Sequence, residues 1–423
     1  MLMVADDLTG AADCAVQGVR EGLSGLVAMS AAGLGMPADL VAVDADTRSL
    51  SAEAAAQRVA DLVGAAPAGR RLFKKVDSTL RGHVGVELAA ALQNWRVVRR
   101  MRAVALFAPA FPATGRTIIG GRPFLRGQPL ETTELWRREG SGASIDLPAM
   151  FQAAGLATAA VTLAEIRGGE LPEALVRLAE SADVLICDTE TDADLAALAT
   201  ASLTLGDATI HAGSAGLAGQ LVRALGLRPG PAPADGRRPV PALPLLFVVG
   251  SMSSVSRRQA AQLGQQLGIC SLPVPLRDLV AGGEAALAPW QERLQAALAR
   301  GEDVVLVPEP DGPEDPGHAL KLRRALATLV APVAGGIGGL FLTGGETARA
   351  VLDACGVTGL GLHREVEPGV PLATALGRHG FGVVTKAGAF GDERTMLHCR
   401  RALLDLRQPS SSPSATCGSE FPS

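Results

Sequence analysis

The sequence contains no tyrosine, and aromatic residues of all kinds make up only 3% of its 423 positions. An open groove for bases or sugar rings needs flat stacking platforms, so that kind of surface is not expected. Positive charge is also scarce. Thirty-nine Lys and Arg stand against 43 Asp and Glu, a formal net charge of -4, and no basic run of useful length offsets it. This argues against a nucleic-acid or membrane-surface partner. The six cysteines, Cys14, Cys187, Cys270, Cys355, Cys399 and Cys417, form no CxxC pair. They offer neither a zinc site nor a disulfide framework and fit a reducing compartment. No apolar stretch reaches transmembrane length. The opening run Met1–Ala5 is too short for a signal-peptide core and has no basic leader, so a cytoplasmic enzyme is expected. GxxxxGK[ST] is absent, which excludes a P-loop NTPase. No GxGxxG lies between a strand and its helix, which counts against a nicotinamide-binding Rossmann unit.

What the chain does have is apolar bulk and tight turns: 48% hydrophobic residues, 50 glycines and 27 prolines. Its length exceeds one ordinary core, so two domains are expected. The clearest composition shift, LRPGPAPADGRRPVPALP, divides them. The expected organisation is an N-terminal domain 1–226, a Pro/Gly-rich linker 227–244, a C-terminal domain 245–408, and a tail 409–423 too polar to order itself.

In the first half, strand-like runs at Leu2–Ala5, Leu40–Val43, Leu72–Val76, Val104–Ala108, Thr158–Val161 and Val184–Cys187 alternate with Ala-rich amphipathic segments. This is the pattern of βαβ units, an α/β domain with a mostly parallel sheet flanked by helices. The stretch Lys74-Lys-Val-Asp-Ser-Thr-Leu-Arg-Gly82 stands at its centre. It follows a strand and precedes a helix marked by Leu88, Leu92 and Trp95, and ligands bind at that edge of open sheets. The first strand ends in Asp6-Asp7-Leu-Thr-Gly10 and the second in Asp44-Ala-Asp46-Thr-Arg48. If the three strands are parallel neighbours, all three polar clusters share one edge. Asp6, Asp7 and Thr9 also read as helix caps, and Arg48 as a solvated loop residue. Capping alone has no use for Arg48, Lys75 and Arg81.

Pro109-Ala-Phe-Pro-Ala-Thr-Gly-Arg-Thr117 reads as a stiff wall or lid, or as a plain connection with Arg116 in solvent. Ile118–Leu130 reads as a hairpin-like excursion. His211 reads as a packed histidine, and Gly213-Ser214 as a closure against the second domain. That domain opens on the strand Leu245–Val249 with Gly250-Ser251 after it. Leu340-Phe-Leu-Thr-Gly-Gly-Glu-Thr347 runs from a strand into a helix whose start favours negative charge. Phe381–Thr385 leads into Lys386-Ala-Gly-Ala-Phe-Gly-Asp392. Together the glycine turns point to a nucleotide site.

These motifs, in this order, resemble the four-carbon acid sugar kinase family, once a domain of unknown function. The matching stretches are Ala5-Asp-Asp-Leu-Thr-Gly-Ala-Ala-Asp13, Lys75-Val-Asp-Ser-Thr-Leu-Arg-Gly82, Pro109-Ala-Phe-Pro112 with Gly115-Arg116, Gly250-Ser251, Gly344-Gly-Glu-Thr347 and Lys386-Ala-Gly-Ala-Phe-Gly391. One departure is Trp136-Arg-Arg-Glu139, where the family usually carries an acidic stretch. The resemblance implies ATP-dependent phosphorylation of the terminal hydroxyl of threonate, erythronate or 3-oxo-tetronate, with threonate slightly favoured. It implies an acid-sugar site in the N-terminal domain, an ATP site in the C-terminal domain, and an active site in the cleft between. By motif, Asp6, Arg48, Lys75, Asp77, Ser78 and Arg81 would hold the acid sugar. Ser251, Gly344, Gly345, Glu346, Thr347 and Gly388 would hold ATP. Mg²⁺ would bridge the phosphates, with ligands the sequence does not single out.

The chemistry of the residues agrees. Arg48 or Arg81 can grip a carboxylate with a two-pronged fork, and the aspartates can accept from hydroxyls. Phosphoryl transfer needs positioning, charge neutralisation and a carboxylate to orient the attacking hydroxyl. Asp7 or Asp77 is the expected base, with Lys75 at the transferring phosphoryl. Two rival readings are an acid-sugar sensor without chemistry, and an aldolase or dehydratase with Lys75 as a Schiff-base amine. Both leave the second glycine series unused. Stereochemistry of the substrate and any homo-oligomer are not read from the sequence.

Overall fold

A computed structural model of the chain describes residues 1–139, 145–230, 240–251, 253–281, 283–311, 317–388 and 390–407. The expected tail 409–423 and the middle of the expected linker lie outside the described residues. Among the described residues no helix is long and apolar enough to cross a membrane.

In the first half the strands are β1 (Leu2–Ala5), β2 (Gly25–Ala28), β3 (Leu40–Asp44), β4 (Leu72–Lys75) and β5 (Ala105–Ala108). They continue through β6 (Arg116–Ile119), β7 (Arg122–Leu125), β8 (Gln128–Pro129), β9 (Thr158–Val161), β10 (Val184–Cys187) and β11 (Ile210–Gly213). In the second half they are β12 (Leu245–Val249), β13 (Ile269–Pro275), β14 (Asp303–Glu309), β15 (Gly339–Thr343), β16 (Val357–Glu367), β17 (Val370–Gly377) and β18 (Gly382–Lys386). The excursion after β5 is a small antiparallel sheet, β6-β7-β8.

The other fifteen strands among the described residues make one sheet, in the order β13-β14-β12-β15-β18-β17-β16-β2-β3-β1-β4-β11-β5-β10-β9. Sequence periodicity predicts a parallel sheet in each half, and each half has one. What it does not predict is the antiparallel ribbon of β16 and β17 that joins them, β16 pairing with β2. Gly359 makes that seam possible, since a Cβ there would stand 2.7 Å from the Val27 carbonyl.

Both faces of the sheet are covered, so its strands read as unbroken apolar runs. Met3 and Ala5 pack with Leu8, Ala12 and Ala15 of the helix Leu8–Arg20, while Leu2 and Val4 pack with Leu88 and Trp95 of the helix Val84–Arg99. The same alternation separates the two lysines of β4. Lys74 turns away from the ligand edge into a fully buried ion pair with Glu87 at 2.8 Å, and only Lys75 faces the Leu8–Arg20 helix. Of the two adjacent lysines, only Lys75 is at the site.

Each half reverses its winding at its first strand. In the first half the chain steps from β1 outward to β2, back to β3, then to β4 on the far side of β1. In the second it steps from β12 to β13 and β14, then to β15 on the far side of β12. Such reversals open crevices at the carboxyl ends of the flanking strands. The aspartate turns follow β1 and β4, and the glycine turns follow β12 and β15.

His211 is buried and bonded to Ser202 at 2.8 Å, and burial lowers its pKa to about 3, as a packed neutral histidine requires. The expected role of Gly213-Ser214 is corrected. Ser214 caps the helix Ala215–Ala224 and donates to the Ala110 carbonyl at 2.6 Å, inside the first half.

Candidate active site

Three turns meet beyond β3, β1 and β4. Asp7 is the N-cap of the Leu8–Arg20 helix, its Oδ1 accepting from the Gly10 N–H at 2.9 Å and its Oδ2 from the Thr9 hydroxyl at 2.5 Å. Capping is only part of its role, because Arg48 reaches it as well. Arg48 places Nε 2.6 Å from Asp6 Oδ2, and Nη2 3.1 Å from Asp7 Oδ1 and 3.6 Å from Asp77 Oδ1. One guanidinium thus ties three strand ends together and is no loop arginine in solvent.

Asp77 accepts from Arg81 Nε at 2.5 Å, from its Nη2 at 3.2 Å, from its backbone N–H at 3.3 Å, and from the Thr79 hydroxyl. The turn holding them is strained. Leu80 has φ 59° and Asp46 in the neighbouring turn φ 48°, left-handed values that cost a side-chain-bearing residue energy. Such strain persists only where surrounding bonds over-determine the loop, as the Asp77 contacts do here. Ser78 is half-buried in the same turn.

Burial opposes ionisation of Asp6 and Asp77, but nearby cations outweigh it. Arg48 and Lys75 hold Asp6 below the usual carboxylate range, and Arg81 and Arg48 hold Asp77 well below it. Lys75 is held up in turn, Asp6 foremost among its partners. Its ammonium sits where a Cβ on Gly10 would come within 2.7 Å, and 4.0 Å from Asp6 Oδ1. That Asp6 oxygen is buried and has no hydrogen-bond partner, an acceptor ready for a substrate hydroxyl. Arg48 and Arg81 do not present unpaired forks, because desolvated aspartates have already recruited them. An incoming carboxylate would join this network.

Two residues in the matched motifs were given no role by sequence reasoning. Asp13 lies on the Thr9–Gly10 face of its helix, a signal available from i, i+3 and i+4 spacing. Its Oδ1 is buried without a partner, and burial pushes the carboxyl up to about 7, with Lys75 pulling the other way. Arg116 turns inward, its guanidinium 5.8 Å from the centre of the Phe390 ring.

In the second half, three turns interlock through approaches only glycine permits. A Cβ on Gly250 would stand 2.4 Å from the Thr347 hydroxyl, and one on Gly388 would stand 2.1 Å from Ser251 Oγ. The Gly388 carbonyl accepts from Ser253 and Ser256, each at 2.8 Å, and from Lys386 at 3.1 Å. Lys386 also donates to the carbonyls of Ala387 and Phe390 at 2.9 Å. It is fully buried, and burial lowers its pKa to about 8. This lysine therefore organises the turn from beneath. The helix Gly345–Ala354 has no side-chain cap, so its first N–H groups are open to an anion. Glu346 is exposed with its carboxylate 2.8 Å from Arg323, so the backbone of this residue is the part suited to phosphate.

The two halves touch at these turns. A Cβ on Gly345 would lie 2.8 Å from Asp7 Oδ2 and 2.9 Å from the Thr9 hydroxyl. Arg349, one turn further along that helix, bonds Asp44 at 2.8 Å and the Met29 carbonyl at 2.8 Å. No group of three or more His, Cys, Asp or Glu suited to a metal occurs among the described residues.

Comparison with known proteins agrees with this division. A family model described as a sugar-binding N-terminal domain matches residues 1–221, and one described as a nucleotide-binding C-terminal domain matches residues 246–396. The D-threonate kinase of Cupriavidus necator is 42% identical over 97% of this chain and 99% of its own length. That of Bordetella bronchiseptica is 35% identical over 96% of this chain and 98% of its own. Other relatives are named D-erythronate kinase and 3-oxo-tetronate kinase. A crystal structure of a Haemophilus influenzae protein, 20% identical, covers 95% of this chain and is itself covered completely (100%), with a TM-score of 0.73.

Proposed function

Since this chain belongs to the four-carbon acid sugar kinase family, with its sugar-binding and nucleotide-binding domains, we propose that it transfers the γ-phosphoryl group of MgATP to the 4-hydroxyl of D-threonate. Two D-threonate kinases at 42% and 35% identity favour that acid over its relatives. The observation that carries the reading is the approach of Asp7 Oδ2 to the uncapped helix start at Gly345. An acceptor held by the first half and a phosphate held by the second would meet there, in a cleft between domains 1–226 and 245–408.

In this reading the acid sugar lies among Asp6, Arg48, Lys75, Asp77, Ser78 and Arg81. The unpartnered Asp6 oxygen takes one hydroxyl, and the Arg48–Arg81 network receives the carboxylate. ATP lies along Ser251, the backbone of Gly344, Gly345, Glu346 and Thr347, and Gly388. Its phosphates face the helix start, whose dipole favours their charge. Mg²⁺ bound to the nucleotide would supply neutralisation of phosphate charge. Of the two expected bases, Asp7 is favoured, because Asp77 is locked to Arg81 and Arg48 and strongly held as a poor base. Asp7 orients the 4-hydroxyl and takes its proton, while Lys75 lies close enough to steady the charge that develops.

The test is ADP release over a panel of D-threonate, L-threonate, D-erythronate and 3-oxo-tetronate with MgATP. The highest kcat/KM is expected for D-threonate. Absence of ADP release with every acid would end the kinase reading, and a preference for another acid would end the choice of substrate.

A further inference from the structure

Resting on that reading, we infer that Arg116 is a catalytic residue that binds the phosphoryl group during transfer, reaching it from the sugar-binding half. Arg116 begins β6 at the end of the stiff loop after β5. Its backbone is fixed by bonds in both directions with Phe111, at 2.9 and 3.2 Å, next to Pro112 and a left-handed Gly115. From that anchor the guanidinium crosses to the Phe390 ring, in the glycine turn that follows β18 of the other half.

The three cations of the sugar-side turns each have a carboxylate partner: Arg48 has Asp6 and Asp7, Arg81 has Asp77, and Lys75 has Asp6. Among the described residues Arg116 has no carboxylate within ion-pair distance, and its Nε is buried without a hydrogen-bond partner. Burial weighs on its charge, and Arg81 and Arg126 add to that, more than Asp77 and Asp13 relieve it. A desolvated, unpaired guanidinium is costly to the empty protein, and an arriving anion removes that cost. The position selects which anion. The acid sugar's carboxylate is at the far end of the molecule from its 4-hydroxyl, whereas Arg116 stands against the turn of the nucleotide half. A transferring phosphoryl spreads charge over three equatorial oxygens, which suits the planar fork of arginine.

In the step itself the 4-hydroxyl oxygen bonds to the γ-phosphorus as the bond from that phosphorus to the β,γ-bridging oxygen breaks. The electron pair leaves with ADP, and the hydroxyl proton passes to Asp7. Arg116 donates N–H bonds to the non-bridging oxygens and keeps its own proton throughout.

The experiment compares wild type with Arg116→Gln and Arg116→Lys in steady-state kinetics and in binding of ADP with and without aluminium fluoride. Arg116→Gln should lower kcat about 10³-fold, with the tetronate KM changed by less than about threefold. It should bind ADP as wild type does, lose the extra affinity for ADP–aluminium fluoride, and regain part of its turnover when guanidinium chloride is added. Retention of kcat within about threefold would overturn the inference. So would a raised tetronate KM at unchanged kcat, which would make Arg116 a carboxylate grip. If wild type accepts no tetronate, the kinase reading fails, and the ADP–aluminium fluoride comparison still decides Arg116. If Arg116→Gln does not fold, the same measurements on Arg116→Lys decide it.

Discussion

Arg349 and Asp44 form an ion pair of 2.8 Å between a helix of the nucleotide-binding half and a strand end of the sugar-binding half, 305 residues apart in sequence. Asp44 is almost wholly buried, and burial pushes its carboxyl up to about 7 against the pull of Arg349. The same guanidinium bonds the Met29 carbonyl, so it fixes both the angle and the depth at which the helix meets the sugar-binding turns.

Arg349→Met strands a buried carboxylate and should destabilise the protein by about 3 kcal/mol. Adding Asp44→Asn should return most of that loss, since the uncompensated charge is gone. Urea-denaturation midpoints of the two single variants and the double variant measure the coupling.

Gly345→Ala puts a methyl group 2.8 Å from Asp7 Oδ2 and 2.9 Å from the Thr9 hydroxyl, both ends of movable side chains. The side chains can yield, so Tm should change by less than about 2 °C. Asp7 would be pushed off its line, and kcat should fall about 10²-fold with the protein still folded.

Asp7→Asn keeps an acceptor for the helix cap but cannot take a proton. It should lower kcat about 10²- to 10⁴-fold and leave the tetronate KM within about threefold. Asp77→Asn should act differently, raising the tetronate KM, because it frees Arg81 and loosens the turn. Steady-state kinetics of the two variants side by side separate a chemical role from a positioning one.

Lys386→Met removes three bonds to the carbonyls of Ala387, Gly388 and Phe390. The turn then loses its fixed shape, and the KM for ATP should rise about tenfold while that for the acid sugar stays within about twofold. Equal rises in both would contradict its assignment to the nucleotide side.

Asp13 carries a pH signature. Its folded pKa is raised to about 7, above the unfolded carboxylate range, so the native state holds its proton more tightly than the unfolded chain. Its contribution is complete at low pH and is lost as pH rises through about 7. Asp13→Asn cannot ionise, so its Tm should gain on wild type by about 2–4 °C between pH 5 and pH 8. Scanning calorimetry of the two proteins across that range reads the difference directly.

Much of this was legible in the chain. Runs of buried aliphatic residues set the strands, and the short polar residues that follow them set the caps and turns. Those are local matters, decided by backbone sterics and by which side chains reach a neighbouring N–H. The period-2 alternation of β4 even separates Lys74 from Lys75, although a reading by motif joins them. Asp13, too, is visible as a residue on the same helix face as Thr9.

Which charge meets which was decided by the fold alone. Arg48 is drawn to Asp6, Asp7 and Asp77 because the strand order brings three desolvated carboxylates within reach of one guanidinium. Arg116 is left without a carboxylate because its loop ends against Phe390. The β16–β17 ribbon welds two parallel sheets into one through backbone hydrogen bonds, which leave no mark in side-chain pattern. A sequence names the charges and the turns, but electrostatic partnership depends on distance and on exclusion of water, and both exist only once the chain has packed.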